Sequence, residues 1–181
     1  ILYFKRPMAN ISITSRDVAR ELARRYSTMT HEELDLLESI LVPLKYGKNE
    51  MILREGETCT NIYWVVKGLV RQFYFKNGKE VTEYMATESS IVMCIESLFL
   101  EQPTHLQIKA IEPSVLIALP KADLEAVAMK SVNIQILYRK ILEESANYPK
   151  RSYYCNLFLQ YDYFEKTGEM HFTPPVQTIY A

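Results

Sequence analysis

The stretch that decides the fold is residues 61–86, with the sequence NIYWVVKGLVRQFYFKNGKEVTEYMA. Apolar and aromatic residues dominate Ile62 to Val66 and Leu69 to Phe75, and they alternate with polar residues beyond the turn. β-Branched and aromatic residues favour strands, and Asn77-Gly78 supplies the positive φ angles that a tight hairpin turn needs. The stretch therefore predicts two strands that meet at Lys67-Gly68 and a third strand after the turn.

The same pattern extends over residues 44–119. Four of the five glycines fall in its first half, about ten residues apart, at Gly47, Gly56, Gly68 and Gly78. Evenly spaced turn glycines between short β-rich runs are typical of a β-sandwich, jelly roll or barrel. We predict seven strands, at residues 51–54, 62–67, 69–75, 81–85, 91–94, 106–111 and 115–119.

Helical patterns precede the strands. A first helix is predicted from Ser15, where apolar residues begin to recur at helical spacing. A second follows Thr30, which forms a capping box with Glu33, and its apolar stripe is expected to end at Pro43.

Helical patterns also follow the strands. After Pro120 a short helix is predicted over residues 121–129, and Ser131 is the predicted N-cap of a longer helix. The longer helix carries apolar residues spaced by three and then four positions, as in a coiled-coil seam, at Ile134, Leu137 and Ile141.

Composition excludes several classes of protein. The 181 residues are 48% hydrophobic and 24% charged with a net charge of −1, which suits a soluble, well-cored chain without bulk attraction to nucleic acid or membrane. No run of 18 apolar residues occurs, so we expect no membrane span. Cys59, Cys94 and Cys155 show no Cys-x-x-Cys spacing, so we expect neither a disulfide framework nor a zinc site, and a reducing cytoplasm fits best.

Enzyme motifs are also missing from the sequence. The three histidines, His31, His105 and His171, have no partner at catalytic or metal-ligand spacing. No nucleophile elbow, phosphate-cradling glycine loop or dinucleotide fingerprint occurs. We therefore predict that the protein is not an enzyme and holds no metal. A cupin-type enzyme, which has a jelly-roll architecture, would need a histidine-rich metal site.

Residues 44–119 resemble the β-roll of cyclic-nucleotide-binding proteins, in particular the sensor domain of Crp/Fnr-type bacterial transcription regulators. The residues that carry the resemblance are 61–86 and the turn Arg54-Glu55-Gly56-Glu57. The resemblance implies an α+β fold, a double-stranded, jelly-roll-like β-roll with flanking helices. It implies a sensor domain at residues 15–130, a long dimerisation helix at 131–148, and the start of a helix-turn-helix DNA-binding domain at 149–181 without its recognition helix.

The function implied by the resemblance is transcription regulation. A cytoplasmic homodimer would bind DNA, and a small-molecule effector in the β-roll would control it. Ile134, Leu137 and Ile141 would then be dimer contacts, although the same stripe could instead pack on its own β-roll. The segment 176–181 resembles the start of the family's helix-turn-helix. The alternative function is a stand-alone sensor that acts through protein contacts without binding DNA.

The family's ligand-binding cassette corresponds to residues 94–110. Glu96 stands where the ribose-binding carboxylate would be, but Thr104-His105 replaces the arginine-serine pair that holds the phosphate. A buried phosphate needs a cationic partner, so we expect no strong binding of cyclic AMP or cyclic GMP. The predicted pocket is lined by Glu96, Ser97, Thr104 and His105, with Arg71 and Tyr84 from neighbouring strands.

Each pocket residue has an ordinary alternative role. Glu96 could be a solvated or helix-capping carboxylate, and His105 and Arg71 could be surface residues. We predict no cofactor. An iron–sulfur cluster would require clustered cysteines near the N-terminus, and the sequence has none there. A haem needs only one histidine, cysteine or methionine as an axial ligand, so the sequence does not exclude haem binding.

Overall fold

The computed structural model describes residues 13–146. Its helices are α1 (Ser15–Tyr26), α2 (His31–Ser39), α3 (Ile95–Leu100), α4 (Lys121–Ala128) and α5 (Val132–Ala146). Its strands are β1 (Val42–Tyr46), β2 (Met51–Leu53), β3 (Asn61–Lys67), β4 (Val70–Lys76), β5 (Lys79–Ala86), β6 (Ile91–Val92), β7 (Gln107–Ala110) and β8 (Ser114–Pro120). The DNA-binding segment predicted at 149–181 lies outside the described residues.

The strands form two four-stranded antiparallel sheets. One sheet has the order β1-β8-β3-β6 and the other β2-β7-β4-β5. A single apolar cluster joins them, drawing Ile62 and Leu116 from the first sheet and Val70 and Ile108 from the second, each with 0% of its surface exposed. The predicted α+β fold, a β-roll with flanking helices, is confirmed.

All seven predicted strands are present, and an eighth was missed. We expected Pro43 to end α2, but that helix ends at Ser39 and Pro43 lies within β1, opposite Ile117 of β8. Because β1 lies at the edge of its sheet, the missing N–H of proline removes no hydrogen bond to a second neighbouring strand.

The helices form a separate layer in which α5 contacts α1, α2, α3 and α4. The predicted caps are confirmed, since Thr30 and Glu33 form a capping box and the hydroxyl of Ser131 accepts the N–H of Ile134 at 3.1 Å. Glu33 also joins the two helix starts, because its carboxylate accepts the Ser131 hydroxyl at 2.6 Å. This bond, with those from Thr30 and Asn133, lowers the pKa of the Glu33 carboxyl.

A second polar contact ties α1 to α5. The hydroxyl of Tyr26 donates to the carboxylate of Glu144 at 2.7 Å, and Arg25 forms an ion pair with the same carboxylate at 2.5 Å. Burial, together with the bond to Glu144, raises the pKa of Tyr26. The two ends of the described chain therefore meet in the helical layer.

The prediction that α5 uses its apolar stripe for dimer contacts needs correction. Ile134, Leu137 and Ile141 are each 0% exposed within the single chain, because neighbouring helices already cover that face. This matches the alternative in which the stripe packs within its own domain. The opposite face of α5 is accessible, beginning at Val132, which is 68% exposed.

Gly68 provides a test of the packing between the sheets. It joins β3 to β4 with φ +105°, and a Cβ at this position would lie 2.3 Å from the Oγ and 2.8 Å from the Cα of Ser114. Gly68→Ala should therefore lower the free energy of unfolding by about 2 to 4 kcal/mol, combining backbone strain with overpacking. Urea unfolding followed by the fluorescence of the single tryptophan, Trp64, measures this loss.

The matched control is Gly78→Ala. Gly78 has φ +73°, but no atom lies within 4 Å of the position that a Cβ would occupy, so only backbone strain of about 1 kcal/mol is expected. Equal losses in the two variants would contradict the proposed clash with Ser114.

Candidate ligand site in the β-roll

The site is built around α3, which connects β6 to β7 at the end of the roll. In the first turn of α3 the hydroxyl of Ser97 accepts the N–H of Cys59 at 2.9 Å and donates to the carbonyl of Gln102 at 2.5 Å. Ser97 is only 4% exposed, so both bonds lie in the protein interior. One hydroxyl thus fixes α3 to the segment before β3 and to the turn that follows α3.

A second anchor holds the segment after α3. The N–H of Thr104 donates to the carbonyl of Glu57, and its carbonyl accepts the N–H of Gly56. Its hydroxyl accepts the N–H of Leu106 at 2.9 Å. Thr104, the first of the two residues that stand in place of the family's arginine-serine pair, is therefore fixed to the turn at residues 54–57.

Polar side chains from β4 and β5 face the cassette beside these anchors. Gln72 is 6% exposed, and its amide donates to the carboxylate of Glu83 at 3.1 Å and lies 3.9 Å from the Sγ of Cys94. The ring of His105 meets the ring of Tyr74 edge to face, with centroids 5.6 Å apart.

Glu83 faces the cassette because of a β-bulge. Gln72 pairs with Tyr84 and the next residue, Phe73, pairs with Thr82, so Glu83 is an extra residue in β5. An extra residue shifts the alternation of side chains between the two faces of a strand. Desolvation by the surrounding protein raises the pKa of Glu83, while His105 and the Gln72 amide partly oppose the rise.

Four of the six predicted pocket residues lie near this region. Ser97, Thr104 and His105 come from the cassette, and Tyr84 lies directly opposite Gln72 in the sheet. Glu96 is exposed and forms no hydrogen bond or ion pair with any residue between 13 and 146, as expected for a solvated carboxylate. The ligand-binding role of these residues stays a prediction.

The predicted position of Arg71 is wrong. Its neighbours Val70 and Gln72 face the interior, so Arg71 points to the outer face of the sheet. There its guanidinium forms an ion pair with Glu80 at 2.6 Å, and its Cζ lies 4.6 Å from the centroid of the Phe73 ring. The strand-surface alternative describes it correctly.

Sequence reasoning missed four residues at the site: Gln72, Glu83, Cys59 and Cys94. The two cysteines lie at its base with their thiols free, and they are 2% and 1% exposed. The alternating pattern of β4 places Gln72 on the same face as Val70, and that signal could have identified it.

Outside the roll, a surface cavity of about 590 Å³ lies at the end of α1, and its lining includes Arg24, Arg25 and Lys140. Arg24 and Arg25 are both paired with carboxylates, those of Glu21 and Glu144. Residues 13–146 contain no group of three side chains arranged to hold a metal ion, and none of their helices has the length and apolar character of a bilayer span.

A family comparison covers the whole roll and its cassette. The family described as "Cyclic nucleotide-binding domain" matches residues 43–131. This region is a cyclic nucleotide-binding domain. The match begins in β1 and ends at Ser131, the N-cap of α5, so it includes every strand of the two sheets.

Solved structures share the fold of this cyclic nucleotide-binding domain. The Thermus thermophilus catabolite activator protein has a TM-score of 0.58 at 23% identity, over 80% of this chain and 64% of that one. A cyclic nucleotide-binding domain from Methylobacillus flagellatus has a TM-score of 0.63 at 15% identity, over 77% and 83%. FixK2 from Bradyrhizobium japonicum has a TM-score of 0.51 at 21% identity, over 62% and 54%. This chain thus spans less than two thirds of the catabolite activator protein and of FixK2.

The Ser97 anchor of the cyclic nucleotide-binding domain can be tested by removing its hydroxyl. Ser97→Ala leaves the buried N–H of Cys59 without its acceptor, which should lower the free energy of unfolding by about 1 to 3 kcal/mol. Ser39→Ala is the control, because its exposed hydroxyl bonds only the carbonyl of Leu36 and its loss should change stability by less than about 0.5 kcal/mol. Equal effects in urea unfolding would contradict the anchoring role.

Proposed function

We propose that the protein is a Crp/Fnr-type transcription regulator, a DNA-binding homodimer without enzymatic activity, whose β-roll senses a small molecule other than cyclic AMP. The observation that carries the proposal is the cassette at residues 94–110, which is held by backbone hydrogen bonds and contains the imidazole of His105, with the carboxylate of Glu83 facing it. The presence of the cassette supports a sensor function. The absence of the phosphate-binding arginine, together with the nearby carboxylate of Glu83, supports an effector other than a cyclic nucleotide. The similarity in fold to the catabolite activator protein and FixK2 supports the regulatory role, which belongs in the cytoplasm.

The effector argument is electrostatic. A desolvated phosphate must be paired, and removing one partner of a buried ion pair costs about 3 to 5 kcal/mol. Arg71 lies on the outer face of its sheet, and the carboxylate of Glu83, which faces the cassette, would repel an added anion. We therefore propose an effector without a phosphate group, held by hydrogen bonds from side chains such as Gln72, Tyr84 and His105.

The route from site to dimer runs through α3. This helix carries Ser97, the anchor of the cassette, and it also contacts α5. A ligand that moves α3 would therefore change the position of α5. In this proposal the dimer contact lies on the exposed face of α5 that includes Val132, since the opposite stripe is already buried.

Calorimetry with cyclic AMP tests the effector claim. The loss of a cationic partner corresponds to binding weaker by a factor of about 10² to 10⁴ than in a domain that has one, so no heat of binding is expected at micromolar concentrations. Glu83→Gln is the matched variant, because it removes the repelling charge but keeps an acceptor for Gln72, and any residual binding should strengthen. Micromolar affinity of the unchanged protein would overturn the claim.

Selection of DNA from a random duplex pool tests the regulatory claim, with the full natural protein as the binder. We expect two-fold symmetric sites whose halves are about 34 Å apart, one turn of the double helix, because a homodimer presents two equivalent reading elements. Recovery of no enriched sequence at low salt would sink the DNA-binding proposal and favour the stand-alone sensor.

Two valine variants separate dimerisation from folding in the same experiment. Val132→Glu should abolish the paired half-sites and yield a monomer in sedimentation, while unfolding stays unchanged within about 0.5 kcal/mol. Val42→Glu, at an exposed position on β1, is the control and should leave both properties intact. A dimeric Val132→Glu protein would place the contact elsewhere.

A further inference from the structure

We propose that Asn77 is a self-modifying site, at which water converts the asparagine through a cyclic imide to aspartate or isoaspartate. This modification site is independent of the proposed effector and of DNA binding. It lies in the turn between β4 and β5, the two strands that carry Gln72 and Glu83 beside the cassette. Asn77 is the only asparagine in the sequence that is followed by a glycine.

The turn leaves the reacting groups accessible. Asn77 and Gly78 have φ angles of 52° and 73°, as in a type I′ turn, and both residues are exposed. Within residues 13–146 the N–H of Gly78 makes no hydrogen bond, and beyond the adjacent residues no heavy atom lies within 4 Å of the position that its Cβ would occupy. Because glycine has no Cβ, the backbone can also rotate to bring this nitrogen to the Cγ of Asn77.

Asn49 provides a matched comparison within the same chain. It is also exposed and also has a positive φ angle, 65°. The next residue is Glu50, whose N–H donates to the carbonyl of Gly47 at 3.2 Å and whose side chain restricts rotation of the backbone. Asn49 therefore shares the exposure and the backbone conformation of Asn77 but has no free nitrogen beside it, and it should react more slowly.

Two lysines favour a charged product at this position. Lys76 and Lys79 lie directly opposite each other where β4 and β5 meet the turn, and both are exposed. Like charges on opposite residues of two strands repel each other. The neighbouring carboxylate of Glu80 is paired with Arg71. A carboxylate at position 77, between the two lysines in the chain, would offset their repulsion, whereas the neutral amide of Asn77 does not.

The chemistry balances with water as the only added reactant. The nitrogen of Gly78 loses its proton to solvent and attacks the Cγ of Asn77. The bond from Cγ to Nδ2 breaks, and the side-chain nitrogen takes a proton and leaves as ammonia, which closes the cyclic imide. Water then opens the imide at Cγ to give aspartate, or at the backbone carbonyl of residue 77 to give isoaspartate. Nothing is oxidised or reduced.

The two products differ in their effect on the hairpin. Aspartate before glycine is also a preferred pair for a type I′ turn, so this product should keep the pairing of β4 with β5. Isoaspartate routes the backbone through the side-chain carbons and adds a methylene group to the turn. Because the turn sets the register of a hairpin, the longer backbone should disturb the pairing of the strands that carry Gln72 and Glu83.

The experiment incubates the full, folded chain at neutral and at mildly alkaline pH, followed by digestion and mass spectrometry. The expected result is the mass change of an amide replaced by a carboxylate at Asn77, in two products, of which an isoaspartyl methyltransferase labels the isoaspartate. The rate should rise with pH, because the attacking nitrogen must lose a proton. It should exceed the rate at Asn49 by at least about tenfold.

Two variants separate the reaction from its consequence. Gly78→Ala should slow the change at Asn77 by at least about tenfold, and Asn77→Asp, which is the aspartate product, should unfold at the same urea concentration as the unchanged chain. An unmodified Asn77, equal rates at Asn77 and Asn49, or aspartate without isoaspartate would each overturn the proposal. The comparison of the two asparagines needs no variant, so it holds even where Gly78→Ala does not fold.

Discussion

The apolar contact between the two sheets is the constraint on which the rest of the molecule depends. The paired strands β3 and β8 contribute Ile62, Val65, Leu116 and Leu119, none of which is more than 1% exposed. A polar group in such surroundings is costly unless it is hydrogen-bonded. The interior hydroxyls of Ser97 and Thr104 accordingly have backbone partners, and these obligatory bonds hold the cassette in place.

The architecture of the cassette and its charge depend on different residues. The cassette keeps its short helix and its backbone anchors, which depend on hydrogen bonds that many sequences can supply. Its electrostatics depend on individual side chains, and a carboxylate at Glu83 beside an imidazole at His105 creates a different environment from one with an arginine. One scaffold can therefore serve unrelated small molecules.

An element could be predicted from the sequence when the residues that determine it are close together in the chain. Strand positions depend on alternation and turn glycines within a few residues, so all seven predicted strands were found, whereas β1 was missed because Pro43 is tolerated only at an edge that tertiary pairing defines. Glu83 faces the cassette through a bulge whose position depends on the partner strand. Arg71 was misplaced because the face that Val70 and Gln72 share was not recognised.

The contacts that close the helical layer have a consequence for the order of folding. Glu33 meets Ser131 across 98 positions of sequence, and Arg25 meets Glu144 across 119. Contacts of such separation form late, because the long intervening loop must first be closed. On the ribosome, where synthesis proceeds from the N-terminus, α1 and α2 emerge first and then wait for α5. Until then the apolar face of α1 around Leu22 is open to chaperones and to neighbouring nascent chains.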